Sequence, residues 1–271
     1  MIKIGQGHKS EVFELPDGRV LKLFFSRFAS LAPVEIAICD SLARAGVLAP
    51  RVDETIEVDG RPGIVFRNLK VGQTLSSAIR TKPWQILAVA RDLARLHAGV
   101  HECSSHELPS QRTRLEEEIR ASVGPTEEAR SAALRALGEL PAGELVCHND
   151  IHGLNVIVHP SGSMIIDWVL ATQGNPLADI ATGVLQLRFG EQPRGLAARA
   201  AQELGRAVFW RAYLRRYLEL RPCRAGELAR WELPVAVALA GRREGRMRRQ
   251  LLKRIEYLMR NGPGQAREVA T

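Results

Sequence analysis

Cys147-His148-Asn149-Asp150-Ile151-His152-Gly153-Leu154-Asn155, followed by Ile165-Ile166-Asp167-Trp168, concentrates side-chain oxygens at a fixed spacing. The first run reads H-x-D-x-x-x-x-N, and Asp167 follows Asn155 by twelve residues. Phosphoryl transfer needs such a set. One carboxylate orients an attacking hydroxyl and takes its proton, while an amide oxygen and a second carboxylate hold Mg²⁺ on the phosphates. Asp or Asn alone serves as readily to cap a turn, so the weight rests on what stands upstream. Gly5-Gln6-Gly7 lies in a first hairpin, where the lack of a side chain lets backbone N–H groups approach phosphate oxygens. Lys22 sits mid-strand between Leu21 and Leu23, thirteen residues before Glu35 on an expected helix. With the glycine turn and Glu35, it reads as the lysine that contacts nucleotide phosphates.

The elements that must position these groups follow from the apolar pattern. Residues 1–4, 11–15 and 20–25 alternate as three strands, with Pro16-Asp17-Gly18-Arg19 as a hairpin turn. Residues 32–45 have helical spacing, with Pro33 early and Gly46 as a stop. A second hairpin covers 51–58 and 63–66 around Asp59-Gly60. After Gly72 the period becomes helical over 83–99, 111–122 and 129–140. A short β interlude covers 145–147, 156–159 and 164–167, with a turn at Pro160-Ser161-Gly162, and helices are expected over most of 177–260. The plan is α+β, with a small β-rich lobe over 1–70 that carries one main helix and a larger, mostly helical lobe over 71–271.

Composition narrows the class. The 271 residues are 45% hydrophobic and 25% charged, which suits a globular chain with an ample core. The longest apolar stretch, LPVAVALAG from position 233, is too short to span a bilayer, so no transmembrane segment is expected. MIKIGQGHKS lacks the apolar core of a signal peptide, and a cytoplasmic location is the expectation. Cys39, Cys103, Cys147 and Cys223 form no C-x-x-C pair, which argues against a zinc site or a disulfide framework. The formal charge of +8 is confined to the last third, where residues 188–271 hold 19 basic and 8 acidic groups.

The segments IGQGHKSEVFEL, VLKLF, PVEIAI, CHNDIHGLNVIV, IIDW and NPLADIA together resemble the aminoglycoside phosphotransferase and choline kinase-like group, in order and spacing over essentially the whole chain. The resemblance implies a protein-kinase-like bilobal fold and ATP, or GTP, with Mg²⁺ as donor to a small-molecule hydroxyl, either antibiotic or metabolite. It carries Asp150 as catalytic base, Asn155 and Asp167 as metal ligands, Lys22 as phosphate contact and Glu35 as its partner. It assigns His148 and Asp179 to bracing the catalytic loop, and places adenine against the backbone near Arg67–Leu69. The sequence departs from the group at Arg67, where an acidic residue is frequent, and in reading HNDIHGLN where many members read H-G-D-x-H-P-x-N. His152 has two readings, assistance to proton transfer or a hydrogen bond within its own loop. His97, His101 and His106, on or after a helix, read as surface residues.

Only eleven residues separate Asp167 from Asp179, and no A-P-E-like motif follows, so a small hydroxylated acceptor is favoured over a protein. Aminoglycosides are polycations that call for a wall of carboxylates. The last third opposes that, although Glu191 or Glu219 could line a local pocket. Two rival readings are a metal-dependent hydrolase using His148, Asp150, His152 and Asp167, and a nucleotide-binding scaffold without turnover. The densest basic piece, Gly241–Arg254, holds seven cationic side chains and one acid. As one helix it would set Arg242, Arg246 and Arg249 on a shared face with Arg243 nearly opposite, unpaired and solvated. Such a face suits an anionic acceptor, an acidic partner or a membrane surface. A phosphotransferase core argues against nucleic acid as the main ligand.

Overall fold

The computed structural model describes residues 1–69, 71–159, 162–190 and 196–262, with side chains of 196–198 left aside. It separates into two compact units: Met1–Thr81 with Gly153–Ala171, and Lys82–His152 with Thr172–Thr271. The boundary expected near residue 70 falls inside the first unit, which also takes in the stretch carrying Asn155 and Asp167.

The first unit is built on a five-stranded antiparallel sheet of order β1-β2-β3-β5-β4. Its strands are β1 (Ile2–Gln6), β2 (Ser10–Glu14), β3 (Val20–Phe24), β4 (Val52–Val58) and β5 (Arg61–Phe66). The β4–β5 turn uses Asp59 and Gly60, both at positive φ, whose twist matches an antiparallel ribbon. Helix α1 (Leu31–Arg44) lies against one face, where Phe24, Ala32, Cys39, Ile64 and Phe66 form a core. Leu21, Leu23 and Val65 fill the opposite face. This period-two split explains Lys22, whose side chain shares the helix-facing side with Phe24 and reaches Glu35 of α1. A second small sheet joins β6 (Gln73–Thr74), β8 (Val156–Val158) and β9 (Met164–Ile165), and helix α2 (Leu75–Thr81) follows β6. The segments β6 and α2 had no expectation from sequence, because two- and seven-residue elements are too short to show a period.

The second unit is helical: α3 (Ile86–Val100), α4 (Gln111–Ala121), α5 (Glu127–Glu139), α6 (Pro176–Phe189), α7 (Leu196–Leu220), α8 (Glu227–Arg242) and α9 (Gly245–Asn261). A two-stranded ribbon of β7 (Leu145–Cys147) and β10 (Thr172–Gly174) carries the chain into and out of the expected catalytic region. Ser110, Thr126 and Asn175 cap α4, α5 and α6 with side-chain oxygens, and Pro176 occupies the first turn of α6. The apolar run noted in the sequence becomes the centre of α8. Val235 through Ala240 are all buried, packed by α4, α5, α6 and α9, as a helix apolar on every side must be.

The basic segment is not one helix. Arg242 closes α8, Arg243 and Glu244 are extended, and α9 begins at Gly245. The break removes the shared face expected for Arg242, Arg246 and Arg249. Most of its cations are engaged: Arg242 with Glu118, Arg243 with Asp150, Arg246 with Glu203 and Arg254 with Glu232, while Arg248 donates to two carbonyls.

Candidate active site

In the first unit, Lys22 Nζ lies 2.8 and 2.7 Å from the two carboxylate oxygens of Glu35 and 3.0 Å from Oδ1 of Asp167. Burial works against a charged amine here, yet the two carboxylates raise the Lys22 pKa above its ordinary value. Burial pushes Glu35 upward, Lys22 pulls it back and Asp167 adds to the push. Asp167 itself is in the left-handed region, φ 63°, a conformation that costs energy for a non-glycine residue and that recurs where a side chain must be aimed. The segment behind it is fixed by Trp168, buried and donating its indole N–H to the Ile165 carbonyl. Asn155 is buried, and its carbonyl accepts from the Ile166 amide at 2.9 Å, which ties the two expected metal-ligand segments together. An amide oxygen and a carboxylate are the hard donors Mg²⁺ prefers, so the residue types fit that ion.

Gly5 and Gly7 have ordinary φ, and a Cβ at either would make only van der Waals contact, 3.8 Å to Val12 and 3.9 Å to the Ser10 carbonyl. The fold does not require glycine at these two positions. Gly7 borders a hollow of about 590 Å³ that Arg27 and Arg61 also line. Gly153 is different: a Cβ there would collide with Ser76, whose amide donates to the Gly153 carbonyl at 2.8 Å. Close approach to α2 therefore requires the glycine in HNDIHGLN. Arg67 is exposed and spends its amide on the Arg51 carbonyl, whereas Leu69 packs against the α1 core.

In the second unit, β7 delivers His148, Asn149 and Asp150. Asn149 adopts φ 61°, which asparagine tolerates better than most residues and which glycine would adopt freely. Its amide group donates to Thr172 Oγ1 at 2.8 Å and accepts from Gln111 Nε2 at 3.1 Å. The Asp150 amide donates to His148 Nδ1. Asp179, wholly enclosed on α6, accepts from the amides of His148 at 2.5 Å and Asn149 at 2.8 Å. Its Oδ2 also faces Nε2 of His97 at 3.0 Å and of His101 at 3.3 Å. Burial would raise the Asp179 pKa, but the two imidazoles hold it well below the usual range.

Asp150 has a different shell. Its Oδ1 accepts from Arg243 Nη2 at 2.6 Å and from Gln186 Nε2 at 2.6 Å, and its Oδ2 lies 3.6 Å from His152 Nε2. Burial opposes the charge, but His152, Arg243 and His148 keep the carboxyl far below the ordinary range.

A family model described as the phosphotransferase enzyme family matches residues 2–223. The chain belongs to that family. This phosphotransferase has a protein-kinase-like α+β fold, shared with several solved structures. A ternary complex of aminoglycoside phosphotransferase APH(4)-Ia with AMP-PNP and hygromycin B matches at 16% identity and TM-score 0.65, over 97% of this chain and 94% of that one. Choline kinase from Cryptosporidium parvum matches at 13% and 0.56, over 95% and 87%. Aminoglycoside-3'-phosphotransferase of type VIII matches at 22% and 0.58, over 86% and 90%. A sequence search of curated proteins finds no match. Family membership makes the protein a phosphotransferase.

One expectation about this phosphotransferase needs correction. His97 and His101 are not surface residues; both are fully buried, four residues apart on α3, so their rings meet Asp179 together. The helix turns these positions inward, and each ring gains a second partner on α7: His97 Nδ1 lies 2.6 Å from the Tyr213 hydroxyl and His101 Nδ1 2.7 Å from that of Tyr217. His106 is exposed, as expected. The matching H-x-x-x-H and Y-x-x-x-Y spacings were the available signal, since one face of each helix must bring both members to the same place.

Glu219 lines a local pocket, as expected, and does so in basic company. It borders a hollow of about 1060 Å³ along α3 and α7, but Arg215 and Arg216 occupy its carboxylate, and Arg91, Arg95 and Arg211 line the same space. Glu191 lies outside the described residues, as do Pro160 and Ser161 of the expected turn. His97, His101 and Asp179 are the sole group of three metal-capable His, Cys, Asp or Glu side chains among the described residues. No helix among the described residues is long and apolar enough to cross a membrane.

Proposed function

We propose that this phosphotransferase moves the γ-phosphoryl group of ATP to a hydroxyl of a small molecule, with Asp150 as the base. The observation that carries this reading is Lys22 held between Glu35 and Asp167 within one unit. That arrangement presents a fixed ammonium charge beside the carboxylate suited to the donor's metal, which is what stabilising a polyphosphate requires. Gly5 and Gly7 add backbone that can approach phosphate closely, and the backbone near Arg67–Leu69 is where adenine would lie. Asn155 and Asp167 would hold Mg²⁺, which neutralises charge on the donor's phosphates.

In the transfer, the acceptor oxygen bonds to the γ-phosphorus as the bond to the β–γ bridging oxygen breaks. ADP leaves, and the hydroxyl proton ends on Asp150. His148 and Asp179 act at one remove: the first takes the Asp150 amide, the second takes the amides of residues 148 and 149, and together they aim the base. His152, beside Oδ2, holds Asp150 ionised and ready to accept the proton.

ADP release across hydroxylated acceptors tests the reading. Asp150→Ala should lower turnover by about 10³-fold or more while MgATP binding, measured by calorimetry, stays nearly intact. Asp167→Ala should abolish Mg²⁺-dependent nucleotide binding. Near-normal turnover in the first variant, or unchanged MgATP affinity in the second, would overturn the assignments. GTP in place of ATP settles the donor base in the same assay.

A further inference from the structure

The shell of Asp150 presents a chemical difficulty for a base. Oδ1 already accepts two hydrogen bonds of 2.6 Å, from Arg243 and Gln186. A hydroxyl that is to give up its proton there must take the place of a donor. Gln186 is neutral, so its displacement leaves no unpaired charge. Arg243 is a guanidinium whose Nε is buried without a hydrogen-bond partner among the described residues. Drawing it off Asp150 with nothing in exchange leaves a partly buried, unpaired charge, which is costly.

The surroundings say what the exchange partner must be. Arg114 and Arg242 share one carboxylate, Glu118, at 3.2 and 3.4 Å. Together with Arg243 and Asp150 this makes three guanidinium groups against two carboxylates. The Nε of Arg242 makes its ion pair without a hydrogen bond, so it too has directional capacity left over. Gln186, 6% exposed, has its Oε1 buried and unpartnered, an acceptor waiting for a hydroxyl. The backbone that supplies Arg243 is pinned, since its carbonyl accepts from Arg248 Nε at 2.6 Å, so the side chain can swing while its root stays in place.

We infer that the acceptor of this kinase is a hydroxylated anion, a polyol bearing a carboxylate or a phosphate, and that Arg243 is its specificity-determining residue. The anionic group takes Arg243 from Asp150, so arrival of the correct acceptor frees Oδ1 for the reacting hydroxyl. A neutral or cationic molecule offers Arg243 nothing, leaves the ion pair closed and meets a surplus of positive charge. This rests on the phosphotransferase reading and adds to it the chemical class of the acceptor.

The test uses the full-length protein with MgATP and matched acceptors: glucose, glucosamine, gluconate and glucose 6-phosphate, and likewise glycerol, serinol, glycerate and glycerol 3-phosphate. Within each series the anionic members should exceed the neutral one in kcat/KM on the order of tenfold to a hundredfold, and the cationic member should be the poorest. The carboxylate and phosphate arms identify which anion is preferred. Arg243→Gln should collapse the anionic-to-neutral ratio towards one, and Arg243→Lys should restore part of it, a pattern that a merely structural residue would not produce. Thermal unfolding of both variants checks that they fold, and the wild-type series stands without them.

Neutral or cationic acceptors turning over as fast as anionic ones would overturn the inference and leave the kinase standing. Gluconate or glycerol 3-phosphate binding by calorimetry, lost in Arg243→Gln but without ADP from any acceptor, would do the reverse. Neither binding nor ADP from any anion would overturn it outright.

Discussion

Asp179 and Asp150 are two carboxylates of the same unit, both held ionised against burial, and their partners differ in kind. Asp179 is surrounded by groups that cannot leave: two backbone amides and two imidazoles whose far nitrogens are engaged by Tyr213 and Tyr217. Asp150 is held by the ends of long side chains, Arg243 and Gln186, that can be withdrawn without disturbing the backbone. The difference is between a charge that organises structure and a charge kept available for chemistry. A third arrangement, Lys22 between Glu35 and Asp167 in the other unit, falls with Asp150, since Asp167 is 35% exposed and its lysine is a side chain rather than an amide.

Deleting each carboxylate in turn separates the two roles most clearly. Asp179→Ala leaves two amides and two rings without their acceptor in an enclosed site, and should cost about 3–5 kcal/mol of stability, read from urea unfolding. Turnover should fall with it, because the amide of Asn149 and the turn to Asp150 lose their anchor. Asp150→Ala should cost less, about 1–2 kcal/mol, since it strands one guanidinium that is 31% exposed rather than a wholly enclosed network. Equal losses in the two variants would erase the distinction.

Acid should reach the Asp179 network first through His101. Burial and the neighbouring His97 lower the His101 pKa to about 4 from its ordinary 6.5, with Arg221 adding to the effect and Asp179 opposing it. The unfolded chain therefore binds a proton below pH 6.5 that the folded one refuses until about pH 4. The stability held by neutral His101 is complete above pH 6.5 and is lost as pH falls towards 4; Asp179, whose pKa is depressed, loses its share at still lower pH. Unfolding midpoints at pH 7, 5.5 and 4.5 should decline, and His101→Gln should flatten that decline. A flat wild-type profile would contradict the assignment of a neutral ring.

The smallest expected effect is Tyr217→Phe, which removes one buried hydroxyl from His101 and should cost about 1 kcal/mol. Activity should barely change, because the ring stays packed. A loss as large as that of Asp179→Ala would show that the tyrosines, rather than the backbone amides, set the position of the carboxylate.

Much of the fold was legible in the residues because it rests on local rules. Alternation placed β2 and β3, Asp59-Gly60 marked the second hairpin, and the helical period located α1, α4 and α5 within a few residues. The elements that escaped, β6, α2 and β10, are too short for a period to register, and the break at Arg243 was hidden because arginine and glutamate favour helix on propensity alone. The site shows the same divide. Lys22, Glu35, Asp150, Asn155, Asp167 and Asp179 stand in a recognisable order. His97, His101, Gln111, Tyr213 and Gln186 do not, because each acts on a partner 30 or more residues away in the chain.

The charge divides in the same way. The family resemblance, the order of the chemical groups and the excess of arginine in the last third depend on residue type and spacing, so they are readable without coordinates. Where that charge goes depends on folding: into Glu118, Glu203 and Glu232, and above all onto Asp150. An ion pair spanning 93 residues leaves no periodic trace. It exists because α8 ends at Arg242 and the backbone is extended at Arg243.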